Sequence, residues 1–126
     1  EAVQLLGFVS DVRQIYPQLD ILCFPSHLDA AGRPVFEAAF YAIPSIVAVQ
    51  NPLPDAILHE VTGLAIPRPN PELIADALQK LVEDPAARRR MGQQARAWVE
   101  QTFSIEANAE RMLELYQHVL SRSAGH

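Results

Sequence analysis

The sequence predicts an α/β fold in which a parallel sheet is followed by a helical tail. Three observations lead there. Short apolar runs alternate with helix-like segments through the first half of the chain. Those runs are continuous rather than alternating, the pattern of strands covered on both faces. The second half carries helical periodicity almost throughout.

In order, Val3 to Val9 reads as a buried strand, and Ser10 caps a short helix with Val12, Ile15 and Tyr16 on one side, with Pro17 ending it or lying in its last turn. Leu19 to Phe24 is a second apolar run without alternation, terminated by Pro25-Ser26. Pro34 to Ala42 is too continuously apolar for a surface helix, so a largely buried helix with Pro34 in its first turn is expected, closed by Ile43-Pro44. Ser45 to Val49 is a third strand, Pro54 to His59 a short helix, and Gly63 to Pro67 a fourth strand. Asn70-Pro71 opens a helix through Leu73, Ile74, Leu78, Leu81 and Val82, and Asp84-Pro85 repeats the same start signal. Ser104 opens the last helix, expected to pack Ile105, Ala109, Met112, Tyr116 and Val119. Trp98, on the preceding helix, is likewise read as core.

Composition bounds the function. At 126 residues, 49% hydrophobic and 20% charged, the chain fits one globular domain with one core. A formal charge of −5 without a sustained basic strip argues against nucleic acid as a partner. Arg88-Arg89-Arg90 reads as a solvated helix face. The single cysteine, Cys23, is expected to be buried in its apolar run and suits a reducing cytosol. No apolar stretch approaches the roughly 20 residues of a membrane span, and residues 1–4 lack the features of a signal peptide, so a cytoplasmic location is expected. His59, His118 and His126 show no metal-ligand spacing, and no metal is expected.

In parallel sheets, ligands bind at the carboxyl ends of the strands, which directs attention to the loop from Pro25 to Arg33. Gly32 removes a side chain just before a helix whose first amides are free to meet a phosphate or a sugar hydroxyl. Asp29 in the loop and Glu37 eight positions later in the helix are two carboxylates able to face one pocket, and acceptor-only groups suit sugar or ribose hydroxyls. Spacing alone leaves the plainer alternative open, a loop residue and a helix-start carboxylate stabilised by the helix dipole. Ser26, His27 and Asp29 lie too close in sequence to align as a nucleophilic triad.

At these residues the chain resembles the C-terminal domain of the GT-B glycosyltransferases, specifically the retaining family 4 (group 1) type. Leu5-Leu6-Gly7-Phe8-Val9-Ser10-Asp11-Val12 matches the family's strand ending in Gly before a short helix, and Leu19 to Ser26 its strand ending in Pro-Ser. The family signature has two glutamates separated by seven residues, followed by Ala, Gly and Pro. Here Glu37-Ala38 and Pro44 match it, while Asp29 stands for the first glutamate, Ala42 for the glycine, and Ala30-Ala31-Gly32 for Gly-Phe-Gly. Pro54-Asp55 resembles a Pro-Glu pair, with Asn51-Pro52 replacing two glycines, and Val61 to Pro67 resembles the Thr-Gly-Leu strand. Arg88 to Gly92, Ala95-Arg96, Phe103-Ser104 and Tyr116 resemble the family tail.

The resemblance implies a doubly wound, Rossmann-like parallel sheet and a nucleotide-sugar donor site. In that site Asp29 lies near the sugar hydroxyls, the amides of Ala30, Ala31, Gly32 and Arg33 lie near sugar and phosphate, Glu37 grips the ribose, and the backbone of Phe8 and Val9 edges the base. Asp29 and Glu37 are thereby the candidate catalytic residues, acting by positioning, with no metal and no cofactor beyond the donor substrate. Asp29 is one methylene shorter than Glu, Pro52 lacks an amide and Ala30 restricts the backbone, so some donor contacts are expected to differ.

The implied domain is incomplete over residues 1–126, because its first strand–helix units and the N-terminal acceptor domain have no counterpart here. The fragment alone is therefore expected to be inactive, and the parent protein to act in the cytoplasm or at the inner membrane face on a glycan, lipid or small-molecule acceptor. In the doubly wound order the absent strands would separate the Leu5 strand from the Leu19 strand. Either the Leu5 strand moves to pair with its new neighbour, or two chains associate through the exposed edge. The rival readings are a non-catalytic binding or assembly module and a related sugar-nucleotide epimerase.

Overall fold

The computed structural model describes residues 2–27, 32–50 and 55–123. Among these residues three parallel strands, β1 (Leu22–Pro25), β2 (Ser45–Val49) and β3 (Gly63–Pro67), form one sheet in the order β1-β2-β3. Leu22 pairs with Ser45, and Ser45 in turn with Gly63. Among the described residues, four α-helices accompany the sheet: α1 (Arg33–Phe40), α2 (Pro71–Glu83), α3 (Pro85–Thr102) and α4 (Ile105–Ser123). The α/β class, the parallel strands and the helical second half are as the sequence predicts.

β2 is the centre of the molecule, and all five of its residues are buried. Its alternate side chains point to opposite faces. Ile46 and Ala48 join Leu64, Ile66, Ala77, Leu81 and Met91 on the face covered by α2 and α3. Val47 and Val49 join Val35 and Ile57 on the face covered by α1. Ala39, Ala95 and Val99 then lock α1 against α3.

The start signals act as read. The Asn70 side chain accepts from the amides of Glu72 and Leu73, and Asp84 from that of Ala87. Ser104 Oγ accepts from the Ala107 amide at 3.0 Å. In α2, however, only Ala77 and Leu81 are fully buried, and Leu73 and Val82 are exposed. Two close approaches fix the helix and strand positions. A Cβ on Gly63 would lie 2.2 Å from the Ser45 carbonyl oxygen of β2, and one on Gly92 1.9 Å from that of Ala42.

Several expectations are corrected. Residues 3–9 form no strand: Leu5 and Phe8 are each 94% exposed, and Gly7 at φ +65° turns the backbone out of the extended path. A strand needs a neighbour, and β1 bonds only to β2 among the described residues, so the first of the two expected courses, pairing of the Leu5 segment with the Leu19 strand, is not taken. The segment after it is two 3₁₀ turns, Val12–Gln14 and Tyr16–Gln18, rather than one helix, and Asp11 caps the first in place of Ser10.

β1 starts later than the apolar run, at Leu22, and alternates half-buried with exposed because α1 packs on the face of Leu22 and Phe24. Cys23 therefore points outward and is exposed rather than buried. The described part of the stretch read as a helix from Pro54 to His59 is a turn at residues 55–56 followed by a bridge from His59 to Gly63. Pro54 itself lies outside the described residues, as do Asn51 and Pro52.

The last helix forms, but its apolar residues are not packed: Ile105, Met112, Tyr116 and Val119 are all exposed. Periodicity identified a face suited to burial, and no described element covers it. Trp98 is half-buried beside Phe103, which also meets Phe36 edge-on at 5.0 Å. Of the arginine cluster, Arg89 and Arg90 are solvated as expected. Arg88 is not, since its guanidinium donates to the Leu81 carbonyl at 2.9 Å, satisfying an unpaired carbonyl near the end of α2.

Candidate functional site

α1 begins beyond the carboxyl end of β1, with Gly32 at its N-cap and Pro34 in the first turn. Pro34 fixes φ for the helix and contributes no amide, and the Val35 amide bonds to the Gly32 carbonyl at 3.1 Å. Gly32 has an ordinary φ of −75°, so its small size serves space rather than strain. A Cβ there would stand 2.8 Å from the Phe24 ring, which packs beneath the helix start. The glycine thus seats α1 on β1, a packing role that the sequence reading had assigned only to ligand approach.

One turn into α1, the Glu37 side chain reaches a cleft of about 540 Å³ lined by Ser10, Asp11, Val12, Arg13, Tyr16, Arg33, Glu37, Phe40 and Tyr41. The 3₁₀ turns form one wall and α1 the other. Glu37 accepts a 2.6 Å hydrogen bond from the Tyr16 hydroxyl on Oε2 and a 3.2 Å bond from Arg33 on Oε1. Arg33 is 91% exposed in its side chain, so this pair is weakly held. Asp11 chelates Arg13 through its Nε at 2.8 Å and Nη2 at 3.0 Å, and the guanidinium holds the Asp11 carboxyl below the usual range. With two carboxylates, two guanidinium groups, and the rings of Tyr16, Tyr41 and Phe40, the cleft offers acceptors for hydroxyls, donors for anions and flat apolar surface.

The structure brings Glu37 and Arg33 together in this cleft, with Gly32 at the helix start beside it. Phe8 and Val9 lie just before its wall. Phe8 projects into solvent at 94% exposure and does not line the cleft, so only the chain direction, not a packed contact, connects it to the site. Asp29, Ala30 and Ala31 lie outside the described residues. Among the described residues, no group of His, Cys, Asp and Glu side chains is arranged to hold a metal ion, and no helix is long and apolar enough to cross a membrane.

Sequence reasoning missed Tyr16, Tyr41 and Asp11 as site residues. Tyr16 was read as part of an apolar stripe. The signal that points to more is its phenol, because a buried tyrosine hydroxyl needs an acceptor and Glu37 is the carboxylate on the next helix.

Comparison with known proteins gives this geometry a family. Residues 1–98 match the family described as glycosyl transferases group 1. The D-inositol 3-phosphate glycosyltransferase of Kineococcus radiotolerans is 35% identical over 86% of this chain and 27% of its own length. Among solved structures, Anabaena HepE in complex with UDP superposes with a TM-score of 0.81 at 21% identity, over 90% of this chain and 31% of that one. The C-terminal domain of a glycosyl transferase group 1 family protein, LpcC from Francisella tularensis, gives 0.67 at 26% identity, over 79% of this chain and 53% of that one. The chain spans about a third or less of the length of the curated relatives it matches. With its parallel α/β sheet and a match covering most of its length, the chain belongs to the group 1 glycosyl transferase family.

Proposed function

We propose that this chain is the donor-binding part of a retaining, family 4 type glycosyltransferase that moves a sugar from a nucleotide-sugar to an acceptor. The observation that carries this reading is the Glu37 carboxylate standing in the cleft beside the first turn of α1, with Arg33 next to it. A carboxylate there accepts from the two ribose hydroxyls, and the α1 start faces the diphosphate. The complex of Anabaena HepE with UDP supports the ligand class.

In this reading the bond from the anomeric carbon to the diphosphate oxygen breaks while the acceptor oxygen bonds to the same face of that carbon. The acceptor's proton passes to the departing phosphate oxygen, so no side chain acts as general base. Glu37, together with Asp29, holds the donor in place, and the surrounding amides stabilise the separating charge. No metal takes part, and residues 1–126 on their own are inactive.

The test is sugar transfer by the full-length protein with UDP-, GDP- and ADP-sugars, reading the product's anomeric configuration. The expected product keeps the donor's configuration, and Glu37→Ala loses transfer mainly through a higher donor KM. An inverted product refutes the retaining mechanism, and an unchanged Glu37→Ala enzyme refutes the site. A sugar-nucleotide epimerase is separated by the same assay, since it converts the donor with no acceptor present. A non-catalytic assembly module is the second reading, favoured by the exposed apolar residues of residues 3–8 and α4. It predicts concentration-dependent mass, including a homodimer through the β1 edge, without nucleotide binding.

A further inference from the structure

We propose that Tyr16 is a positioning residue for this site: its buried hydroxyl holds one oxygen of Glu37 and so presents the other to the ligand. The inference rests on the donor reading above and extends it to a residue outside the family signature quoted for that reading.

The geometry separates the two oxygens of one carboxylate. Oε2 accepts from Tyr16 at 2.6 Å, a short bond of the kind a charged acceptor makes, between residues 21 apart in sequence. Tyr16 cannot swing away. It is 7% exposed, its ring packs with Ala38 and Ile43 and the half-buried Leu19 and Leu22, and its outer face stacks on Tyr41 at 5.4 Å with 17° between planes. Oε1, by contrast, meets only Arg33 among the described residues, and that side chain is almost fully in solvent. Burial, then the bond to Glu37, raises the Tyr16 phenol above the ordinary tyrosine range, so it remains a donor at all physiological pH.

A free glutamate on a helix surface samples several rotamers, and ligand binding must then order it. Here the protein orders it beforehand, and the ligand meets a carboxylate whose plane is set. Arg33 can leave Oε1 at little energetic cost because the pair is solvated. Each carboxylate oxygen carries two acceptor sites, so the bond from Tyr16 still leaves Glu37 able to accept from two adjacent hydroxyls. The chemistry recognised is a vicinal diol, as on a ribose.

The experiment compares this chain with its Tyr16→Phe, Glu37→Ala and double variants. Without ligand, the carboxyl carbon resonance of Glu37 is expected to move in Tyr16→Phe while the amide spectrum of α1 and β2 stays in place. A Glu37 carboxyl resonance unchanged by Tyr16→Phe overturns the proposal, whatever the nucleotides do. With UDP-, GDP- or ADP-sugar, Tyr16→Phe is expected to bind about tenfold more weakly. The double variant is expected to bind no more weakly than Glu37→Ala alone, since Tyr16 acts through Glu37. Additive losses indicate a merely structural tyrosine and overturn the proposal. Silence of the unmodified chain toward all three nucleotides, with a Glu37 resonance that does respond to Tyr16→Phe, defeats the donor reading and with it the role given to this pair, while leaving the hydrogen bond itself established.

Discussion

Replacing Gly92 by alanine adds one methyl group to the inner face of α3. Built on the existing backbone, that Cβ falls 1.9 Å from the Ala42 carbonyl oxygen, 2.8 Å from its carbonyl carbon and 3.3 Å from Pro44 Cδ. The two nearest atoms are main chain at the corner between α1 and β2, so no rotamer change relieves the overlap. The helix must withdraw by about 1 Å, taking with it Met91, Ala95 and Val99, each at most 4% exposed. Two effects oppose each other. Alanine is favoured over glycine in a helix interior by about 1 kcal/mol. Overpacking typically costs about 1–3 kcal/mol, and a rigid main-chain obstacle places this site at the upper end. The expected net loss is about 2 kcal/mol, a fall of roughly 6–10 °C in Tm for a chain of this size. Urea unfolding followed by circular dichroism reads it directly, with an unchanged slope and a lower midpoint. Gln93→Ala, on the exposed side of the same turn, serves as the control and should stay within about 0.5 kcal/mol. A Gly92→Ala chain as stable as the original would show instead that helix propensity outweighs the contact.

The same corner predicts a gain. Ala42 sits at φ +56°, where its Cβ is strained, so Ala42→Gly is expected to stabilise the chain by about 1 kcal/mol in the same urea assay, and a loss would contradict it. Alkaline stability tests the Tyr16 bond. An unfolded tyrosine titrates near 10.0, whereas the folded Tyr16 phenol is raised, first by burial and then by Glu37. Below pH 10 this contribution is fully present. Above it the unfolded chain releases a proton that the folded chain keeps, so stability falls as pH rises, by up to about 1.4 kcal/mol per pH unit. Tyr16→Phe should fall less steeply over that range, and equal slopes would contradict the assignment. Phenolate absorbance gives a second readout, with one of the three tyrosines titrating later than the others.

What was legible in the sequence divides along physical lines. The elements that read correctly carry their own boundaries: Asn70-Pro71 and Asp84-Pro85 each supply a capping side chain and a proline that begins the helix, and β2, apolar at every position after Ser45, is buried throughout because it is central. Residues 3–9 and α4 carry equally clear apolar patterns. Such a pattern says that a face is suited to burial and does not say what will cover it. Where no described element does, the Leu5 run stays out of the sheet and the Met112 and Tyr116 face stays in water.

The site was half legible. Glu37 stands out as a candidate because its position relative to a strand end has meaning, and Arg33 because of the family resemblance; the fold brings both to one cleft. Tyr16 was not, because its contact spans 21 residues and depends on how two 3₁₀ turns fold beside α1. Glycines were the reverse case. Gly32 and Gly92 look like ligand or family features in sequence, and in the fold both are points of close packing. Ala42, standing where the family pattern has glycine, occupies the left-handed conformation that makes glycine the natural choice there.

The proposed function depends on the cleft at Glu37 being a donor half-site. A backbone NMR titration of this chain with UDP-, GDP- and ADP-sugars, repeated on Glu37→Ala, tests it most directly. Shifts are expected at Gly32, Arg33 and Glu37 with one of the nucleotides, extending to the 3₁₀ turns at Asp11 and Tyr16, and are expected to be lost in the variant. No shift with any of the three at millimolar ligand, or shifts that survive in Glu37→Ala, would contradict it.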